Sequence, residues 1–291
     1  MRALDLVATW PVGAAAAGVV CLDRTGPSGS TPRATQVLGV TGDTDRPYEW
    51  ASVTKLCTAL SVLVAVEEGT LALSDPAGPH GSTVAHLLAH ASGLAPDRRE
   101  ALTLPGRRRI YSNAGYEVLA ETLEARAEMP FADYLTEAVF LPLGMQGARL
   151  ARGASPASGA LGTLADLLVL AGELLAPTVV SARTLAQATV VAFAGIAGVV
   201  PGFGRFDPCD WGLGFEIRDA KSPHWTGARC SAATFGHFGR SGSFLWVDPE
   251  AGVACCALAD RPFGPWAAAA WPELSDAAIR TAGAPDGALR G

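Results

Sequence analysis

The chain has 291 residues, 49% hydrophobic and 17% charged, enough apolar material to bury a large core as one big domain or two intimate lobes. A formal charge of −6 and a pI near 5.4 offer phosphate backbones no general attraction, and the one basic cluster, Arg107 to Arg109, is too short to reverse that. Composition therefore argues against nucleic acid as a partner.

The first segment, MRALDLVATWPVGAAAAGVVCLD, imitates a secretory signal poorly: Asp5 sits where basic residues belong, Pro11 breaks the apolar stretch, and Val20 rather than a small residue precedes Cys21. The expectation is a cytoplasmic protein. The longest apolar runs, Leu56 to Val66 and Val190 to Val200, fall short of the ~20 residues of a membrane span, so no membrane association is expected. Residues 14 to 40 hold two short apolar runs, AAAAGVVCLD and TQVLGVTG, separated by RTGPSGSTPRA, which has the composition of a hairpin loop. From about 50 to 190 the apolar spacing turns helical, as at Tyr116, Leu119, Ala120 and Leu123, and no clear strand is visible.

Strand-like runs return in GLGFEIRD, GSFLWVDPE and GVACCALAD, the last two joined by the turn residues Asp248 to Gly252; a helix is expected near Trp266 to Thr281 and a polar tail after Gly283. Strands at both ends with helices between predict an α+β fold: one antiparallel sheet built from distant parts of the chain, flanked by helices, with an inserted helical lobe. We expect a single domain over residues 1–291, with an α/β lobe at about 1–49 plus 195–291 and the helical lobe at about 50–194. The six cysteines show neither CxxC pairs nor the density of a disulfide scaffold, and they read as mostly buried thiols.

The stretch YEWASVTKLCTALSVLVAVEEG, residues 48 to 69, reads as a helix with almost no polar side, yet it carries Lys55 three residues after Ser52. The chain has only two lysines, Lys55 and Lys221, among 22 basic residues, so surface charge is left almost wholly to arginine. A desolvated lysine can lose its proton and an arginine cannot, which is what a general base requires. Residues three apart on a helix share a face, so Ser52 and Lys55 can meet as nucleophile and base. On this motif alone, a helix-capping serine and a snorkelling lysine fit equally well.

Two further motifs follow in order: Tyr111-Ser112-Asn113, in a loop just before an amphipathic helix, and His237-Phe238-Gly239, expected at the start of a strand. With EWASVTKL and TVAHLLAHASGLAP, they resemble the serine β-lactamase and penicillin-binding superfamily, with a β-lactamase/transpeptidase-like fold. The branch is the one holding class C β-lactamases, D-alanyl-D-alanine carboxypeptidases and family VIII carboxylesterases. The resemblance runs from about Tyr48 to Asp260. It implies that Ser52 is the nucleophile, Lys55 the amine that shares its proton, and Tyr111 the residue that passes a proton to the leaving group. It further implies that Asn113 orients substrate and lysine, that His237, Phe238 and Gly239 edge the cleft, and that the backbone N–H groups of Ser52 and Arg240 form an oxyanion hole. Without the resemblance, Tyr111 is a loop aromatic, Asn113 a helix N-cap and His237 a polar group on an edge strand.

Two departures stand out. The third box has histidine where most β-lactamases have lysine, and Phe238 where they have a threonine whose hydroxyl helps hold a substrate carboxylate; phenylalanine offers no hydrogen bond. The expected activity is therefore a serine hydrolase acting on a small neutral ester or short amide, with no cofactor and no metal. The alternatives are a β-lactamase or D-alanyl-D-alanine carboxypeptidase-type peptidase, an acyltransferase, or a non-catalytic relative that binds or assembles, which intact Ser52, Lys55 and Tyr111 argue against. His86 and His90 have the i, i+4 spacing of a zinc pair but lack the glutamate and a third ligand, so they read as structural. Arg107 to Arg109 read as a solvated loop. The sequence leaves the oligomeric state open.

Overall fold

The computed structural model describes residues 3–23 and 34–283; all but the last residue of the expected hairpin loop at 24–34 lies outside them, as does the tail beyond Gly283. A 3-10 turn, Ala3–Thr9, precedes strands β1 (Ala15–Leu22) and β2 (Thr35–Thr41), which pair antiparallel as the two apolar runs predict. The two-residue strand β3 (Tyr48–Glu49) and a 3-10 turn (Ala51–Val53) lead into α1 (Thr54–Glu67). The helical region continues with α2 (Val84–Leu88), α3 (Asn113–Ala127) and α4 (Phe131–Leu135), which runs into a π-helical turn. Strand β4 (Leu161–Gly162), α5 (Leu164–Leu175) and α6 (Ala182–Ala188) follow. A small hairpin, β5 (Gly198–Val200) and β6 (Gly204–Phe206), comes before β7 (Glu216–Ile217), β8 (Phe235–Gly239), β9 (Ser243–Asp248), β10 (Val253–Ala259) and α7 (Pro265–Ala282).

The main sheet has the order β2-β1-β10-β9-β8-β7, every pair antiparallel, so the N-terminal strands lie against the last one. Its central strands are buried on both faces, and the period-2 alternation divides them between two cores. Val19, Phe244, Trp246, Cys255 and Ala257 face α7 and the N-terminal turn. Val20, Leu245, Val247, Cys256 and Leu258 face the helical region, where α5 covers β1, β9 and β10. The vicinal cysteines thus belong to opposite faces, each a fully buried, unpaired thiol. The β9–β10 turn is set by Asp248, whose Oδ1 accepts the N–H groups of Glu250 and Ala251, both at 3.1 Å. Among the described residues, no helix is long and apolar enough to cross a membrane.

α1 is apolar on every side, as its sequence suggests, because it runs through the middle of the core: its residues Thr54 to Ala65 are all buried. The structure corrects three expectations. The helix begins at Thr54 rather than near Tyr48, because the preceding residues pair as β3 with β4 and then tighten into the 3-10 turn that carries Ser52. That β3–β4 pairing also places strand within the stretch read as purely helical; two-residue strands are too short to leave a periodic signal. Finally, His237, Phe238 and Gly239 close β8 instead of opening it. Gly236 reads as a strand boundary in sequence, yet it sits inside the ladder opposite Trp246.

The end of β8 lies directly on the Ser52 turn. A Cβ at Gly239 would fall 2.4 Å from the Trp50 carbonyl oxygen, 2.4 Å from Ser243 Oγ and 3.0 Å from Ala51 Cβ, so only glycine permits this approach. Gly239→Ala should therefore push β8 off the turn and cost about 2–3 kcal/mol of stability, read as a lower urea midpoint; an unchanged midpoint would show that the two segments separate freely.

Candidate active site

Ser52 sits in the Ala51–Val53 turn, half-buried, just before α1. Ala51 takes φ +43°, a left-handed conformation that costs a non-glycine residue energy and is held only where surroundings over-determine it. Those surroundings are identifiable. Ser243 Oγ donates to the Trp50 carbonyl at 2.7 Å, Ser241 Oγ donates to the Glu49 carbonyl at 2.7 Å, and the Trp50 N–H reaches the Ala160 carbonyl at 3.0 Å. The β8–β9 corner and the segment before β4 thus grip the turn from two sides.

Lys55, one turn further on, is fully buried. Its Nζ donates to Asn113 Oδ1 at 2.7 Å and to the Ala157 carbonyl at 2.9 Å, and lies 4.7 Å from the centre of the Tyr111 ring and 5.3 Å from that of Tyr116. Burial lowers its pKa to about 7, against a partial pull upward by Glu117 and Asp97. The Ala157 carbonyl is held in place because α1 binds its segment along three side chains: Thr58 Oγ1 donates to the Pro156 carbonyl at 2.6 Å, and Thr54 Oγ1 accepts the Ala160 N–H at 3.1 Å on either side of Lys55.

Tyr111, Ser112 and Asn113 enter from the start of α3. Ser112, not Asn113, is the N-cap: its Oγ accepts the Gly115 N–H at 2.9 Å and donates to the Ala95 carbonyl at 2.6 Å. Asn113 is thereby free to bridge, with Oδ1 on Lys55 and Nδ2 donating to Asp97 Oδ1 at 2.7 Å. Burial raises the Tyr111 pKa and the Ser52 hydroxyl beside it pulls the other way; the two hydroxyls are neighbours without a well-formed hydrogen bond between them.

This loop is anchored by residues read as bystanders. His90 lies two residues beyond the end of α2, at φ +53°, so it does not share a helical face with His86. His90 Nδ1 accepts the Ser112 N–H at 3.1 Å, which makes the neutral ring an Nε2–H tautomer, and the ring packs 4.6 Å from Tyr111. Burial, followed by the charge of Lys55, keeps its pKa well below the ordinary histidine value. His86 instead stacks on Phe193 at 4.2 Å. Among the described residues, no cluster of histidine, cysteine and carboxylate side chains could hold a metal ion. Arg107 and Arg108 are exposed as expected, but Arg109 is buried. Its guanidinium donates to the carbonyls of Ala89 at 2.5 Å, Ala192 at 2.8 Å and Cys209 at 2.9 Å, tying three loops to the residue two before Tyr111.

On the facing wall, His237 is buried and its Nδ1–H donates to the Phe238 carbonyl at 2.7 Å, leaving Nε2 as a bare acceptor. Burial, with help from the charge of Lys55, lowers its pKa to about 3, so the ring is neutral at physiological pH. Phe238 packs among Phe203, Trp225, Phe263 and Trp271, with ring centres 5.0 to 5.9 Å away. Ser52, Tyr111, Asn113, His237, Phe238 and Arg240 all line one cleft of about 680 Å³. Lys55 is buried beneath Ser52, and Gly239, the residue before Arg240, lies against Trp50 and Ala51, the two residues before Ser52. The predicted residues therefore converge, and the arrangement places a hydroxyl, a desolvated amine and a phenol around one point.

Comparison with known proteins identifies the family and the fold. A model of the β-lactamase family matches residues 13–278. The chain belongs to the β-lactamase family of serine hydrolases. A crystal structure of a β-lactamase from Mycobacterium bovis superposes with a TM-score of 0.90 at 52% identity, over 97% of this chain and 99% of that one. EstCE1, a hydrolase with promiscuous acyltransferase activity, shares the fold at a TM-score of 0.72 and 17% identity, over 94% and 96% of the two chains. Penicillin-binding protein 4* of Bacillus subtilis is 32% identical over 37% of this chain, a match spanning only 31% of that protein's length.

Within this β-lactamase-family cleft, one group escaped the sequence reading. Glu216 on β7 is buried against the wall; its Oε1 accepts from Lys221 Nζ at 2.6 Å, and its Oε2 accepts from His224 Nε2 and Trp225 Nε1, both at 2.9 Å. Burial alone would raise the Glu216 pKa, but His224 and Lys221 outweigh it and bring it to about 2. The rarity of lysine was the available signal: both lysines of the chain are buried. Removing one partner of so buried a pair typically costs about 3–5 kcal/mol. Lys55 has a different consequence. Its folded pKa lies below its unfolded value, so the unfolded chain binds more protons between about pH 7 and 10, and stability rises with pH across that window. Relative to Lys55→Met, wild-type unfolding free energy should thus increase from pH 7 to 10 in urea titrations; a flat difference would mean an unperturbed amine.

Proposed function

We propose that the protein hydrolyses neutral esters or short amides through an acyl-enzyme at Ser52. The observation that carries this reading is the buried Lys55 amine, with a pKa of about 7 and two fixed acceptors, one turn from Ser52. Asn113 Oδ1 and the Ala157 carbonyl occupy two of its protons, which leaves its remaining valence for Ser52. Lys55 takes the Ser52 proton as Oγ attacks the carbonyl carbon; the oxyanion settles on the Ser52 and Arg240 N–H groups, and Tyr111 delivers a proton to the departing oxygen or nitrogen and is reprotonated by Lys55, which is neutral again. Water then attacks the acyl-enzyme, returning the acid and the free hydroxyl. An alcohol or amine in place of water gives acyl transfer by the same steps.

The preference for neutral substrates rests on the cleft wall. His237 is uncharged and presents an acceptor, Phe238 an apolar ring, and Glu216 a carboxylate, so these three groups offer nothing to a substrate anion. A β-lactamase or peptidase activity is the second reading, supported by the 52% identity to the Mycobacterium bovis protein and by Arg240, an exposed guanidinium on the same cleft. Cytoplasmic is the location we propose, since the buried Cys57, Cys209, Cys230, Cys255 and Cys256 are free thiols, which suit a reducing compartment.

Ser52→Ala should lower p-nitrophenyl acetate hydrolysis by about a thousandfold or more while barely changing the melting temperature; retained activity would sink the covalent mechanism. In the wild type, kcat/KM should rise with pH through about 7 as Lys55 loses its proton, and Lys55→Arg, which keeps the charge but cannot accept a proton, should be as inactive as Lys55→Ala.

Substrate class is tested with nitrocefin. Wild-type protein should favour p-nitrophenyl acetate. Phe238→Thr should shift the ratio toward nitrocefin by roughly 10- to 150-fold, the worth of one charge-assisted hydrogen bond of about 1.5–3 kcal/mol. The ratio is the quantity to read, because the threonine also empties space among four aromatic rings. A wild-type preference for nitrocefin would favour the second reading.

A further inference from the structure

A second groove, of about 350 Å³, opens beside the catalytic cleft and shares Pro96, Tyr111 and Pro201 with it. Its floor is the extended chain from Arg108 to Tyr111, which runs alongside the β5–β6 hairpin: the Arg109 N–H donates to the Ala197 carbonyl at 2.8 Å, and Arg109 bridges to Gly198. A Cβ at Gly198 would lie 2.4 Å from Arg109 Cβ, so the glycine is what lets hairpin and floor meet. The buried Arg109 guanidinium then fixes the floor from below. This is a built surface, not a gap between loops.

Its chemistry is uneven in a useful way. Leu102 and Val199 stand on the walls with 54% and 51% of their surface exposed, side chains that cost free energy in water unless something covers them. Arg108 and Arg205 border the same groove. Arg108 is exposed and makes no ion pair among the described residues; Arg205, the cross-strand partner of Val199, pairs only loosely with Asp207 at 3.4 Å, both side chains being mostly exposed. In a chain with a formal charge of −6, two guanidinium groups beside an apolar strip form a local positive field.

We infer that this groove holds the leaving group of the substrate, an alcohol with an apolar body and an acidic end. The inference rests on the serine-hydrolase reading, in which Tyr111 protonates the departing oxygen: of the three residues common to both cavities, Tyr111 is the one whose side chain can donate a proton, so the atom it serves sits at their junction and whatever it carries extends past the ring. The leaving group's apolar body covers Leu102 and Val199, and its anion meets Arg108 and Arg205. The acyl part stays in the cleft, against the uncharged wall of His237 and Phe238. Carboxylate rejection on the acyl side and anion acceptance on the leaving side are therefore compatible in one site.

Three aryl acetates with leaving groups of similar basicity test this: phenyl acetate, 2-naphthyl acetate and 6-sulfo-2-naphthyl acetate. The reaction is the same for each, water adding its hydroxyl to the acetyl carbon and its proton to the aryloxide. In wild-type protein, kcat/KM relative to phenyl acetate should rise roughly tenfold for the naphthyl ester, and by a further several-fold, roughly, for the sulfonate, this last gain fading as salt is added. Val199→Asp should remove the naphthyl advantage. The pair Arg108→Ala, Arg205→Ala should remove the sulfonate gain and its salt dependence while keeping the naphthyl preference. If wild type shows no such ordering, or if the ratios survive these substitutions, the groove does not hold the leaving group. If none of the three esters is hydrolysed by wild type, the hydrolase reading itself fails, and this inference with it.

Discussion

The constraint from which the rest of the site follows is the removal of the Lys55 amine from water. An ammonium group in a closed interior is costly unless every proton finds an acceptor, and the energy falls on whatever holds those acceptors in place. Here one acceptor is a side chain at the start of α3 and the other a main-chain carbonyl in the strap before β4, separated from Lys55 by 58 and 102 residues. Meeting both demands that α1, α3 and the strap converge on one point, with the Tyr111 and Tyr116 rings closing the remaining sides. Burial that would be a liability in a structural lysine is what brings its pKa to about 7, where it can exchange a proton.

Charge elsewhere in the chain follows the same economy of placement. Arg109 spends its guanidinium on main-chain carbonyls, and Lys221 spends its ammonium on Glu216 and the Asp210 carbonyl, so neither cation reaches the cleft as a free charge. His237 is held neutral by burial and by the charge of Lys55, against the opposing pull of its bond to the next carbonyl. The cleft wall that could have bound an anion is left with an acceptor nitrogen, an aromatic ring and a paired carboxylate, while exposed guanidinium groups stand at Arg240 and, around the neighbouring groove, at Arg108 and Arg205. In the function proposed above, selectivity arises as much from where positive charge has been neutralised as from where it is offered.

Strain and close packing supply the precision. The left-handed Ala51, the gripping serines at 241 and 243, and the bare backbone of Gly239 together fix the direction of the Ser52 side chain against β8. His90 and Arg109 do the same for Tyr111 from the other side, one through a main-chain N–H and the other through three carbonyls. Each of these groups removes a degree of freedom from Ser52 or Tyr111, the two hydroxyls to which we assign the chemistry.

Much of this was legible in the sequence, and the boundary has a physical origin. β1, β9, β10 and α7 leave apolar strand-like or helical patterns because each buries one or two faces of a regular element, and Ser52, Lys55, Tyr111, Asn113 and His237 stand in spaced motifs. The extent of β8, the pairings of β3 with β4 and of β5 with β6, and the capping role of Ser112 were decided by contacts between segments far apart in the chain. So were the buried fate of Arg109, the tautomers of His90 and His237, and the Glu216–Lys221–His224 cluster. In these cases the partner is a main-chain carbonyl or N–H, or a side chain brought in by folding, and a backbone group is the same at every position of a sequence. Side-chain identity told which residues could do the chemistry; only the tertiary structure could say which of them had been deprived of water, and by whom.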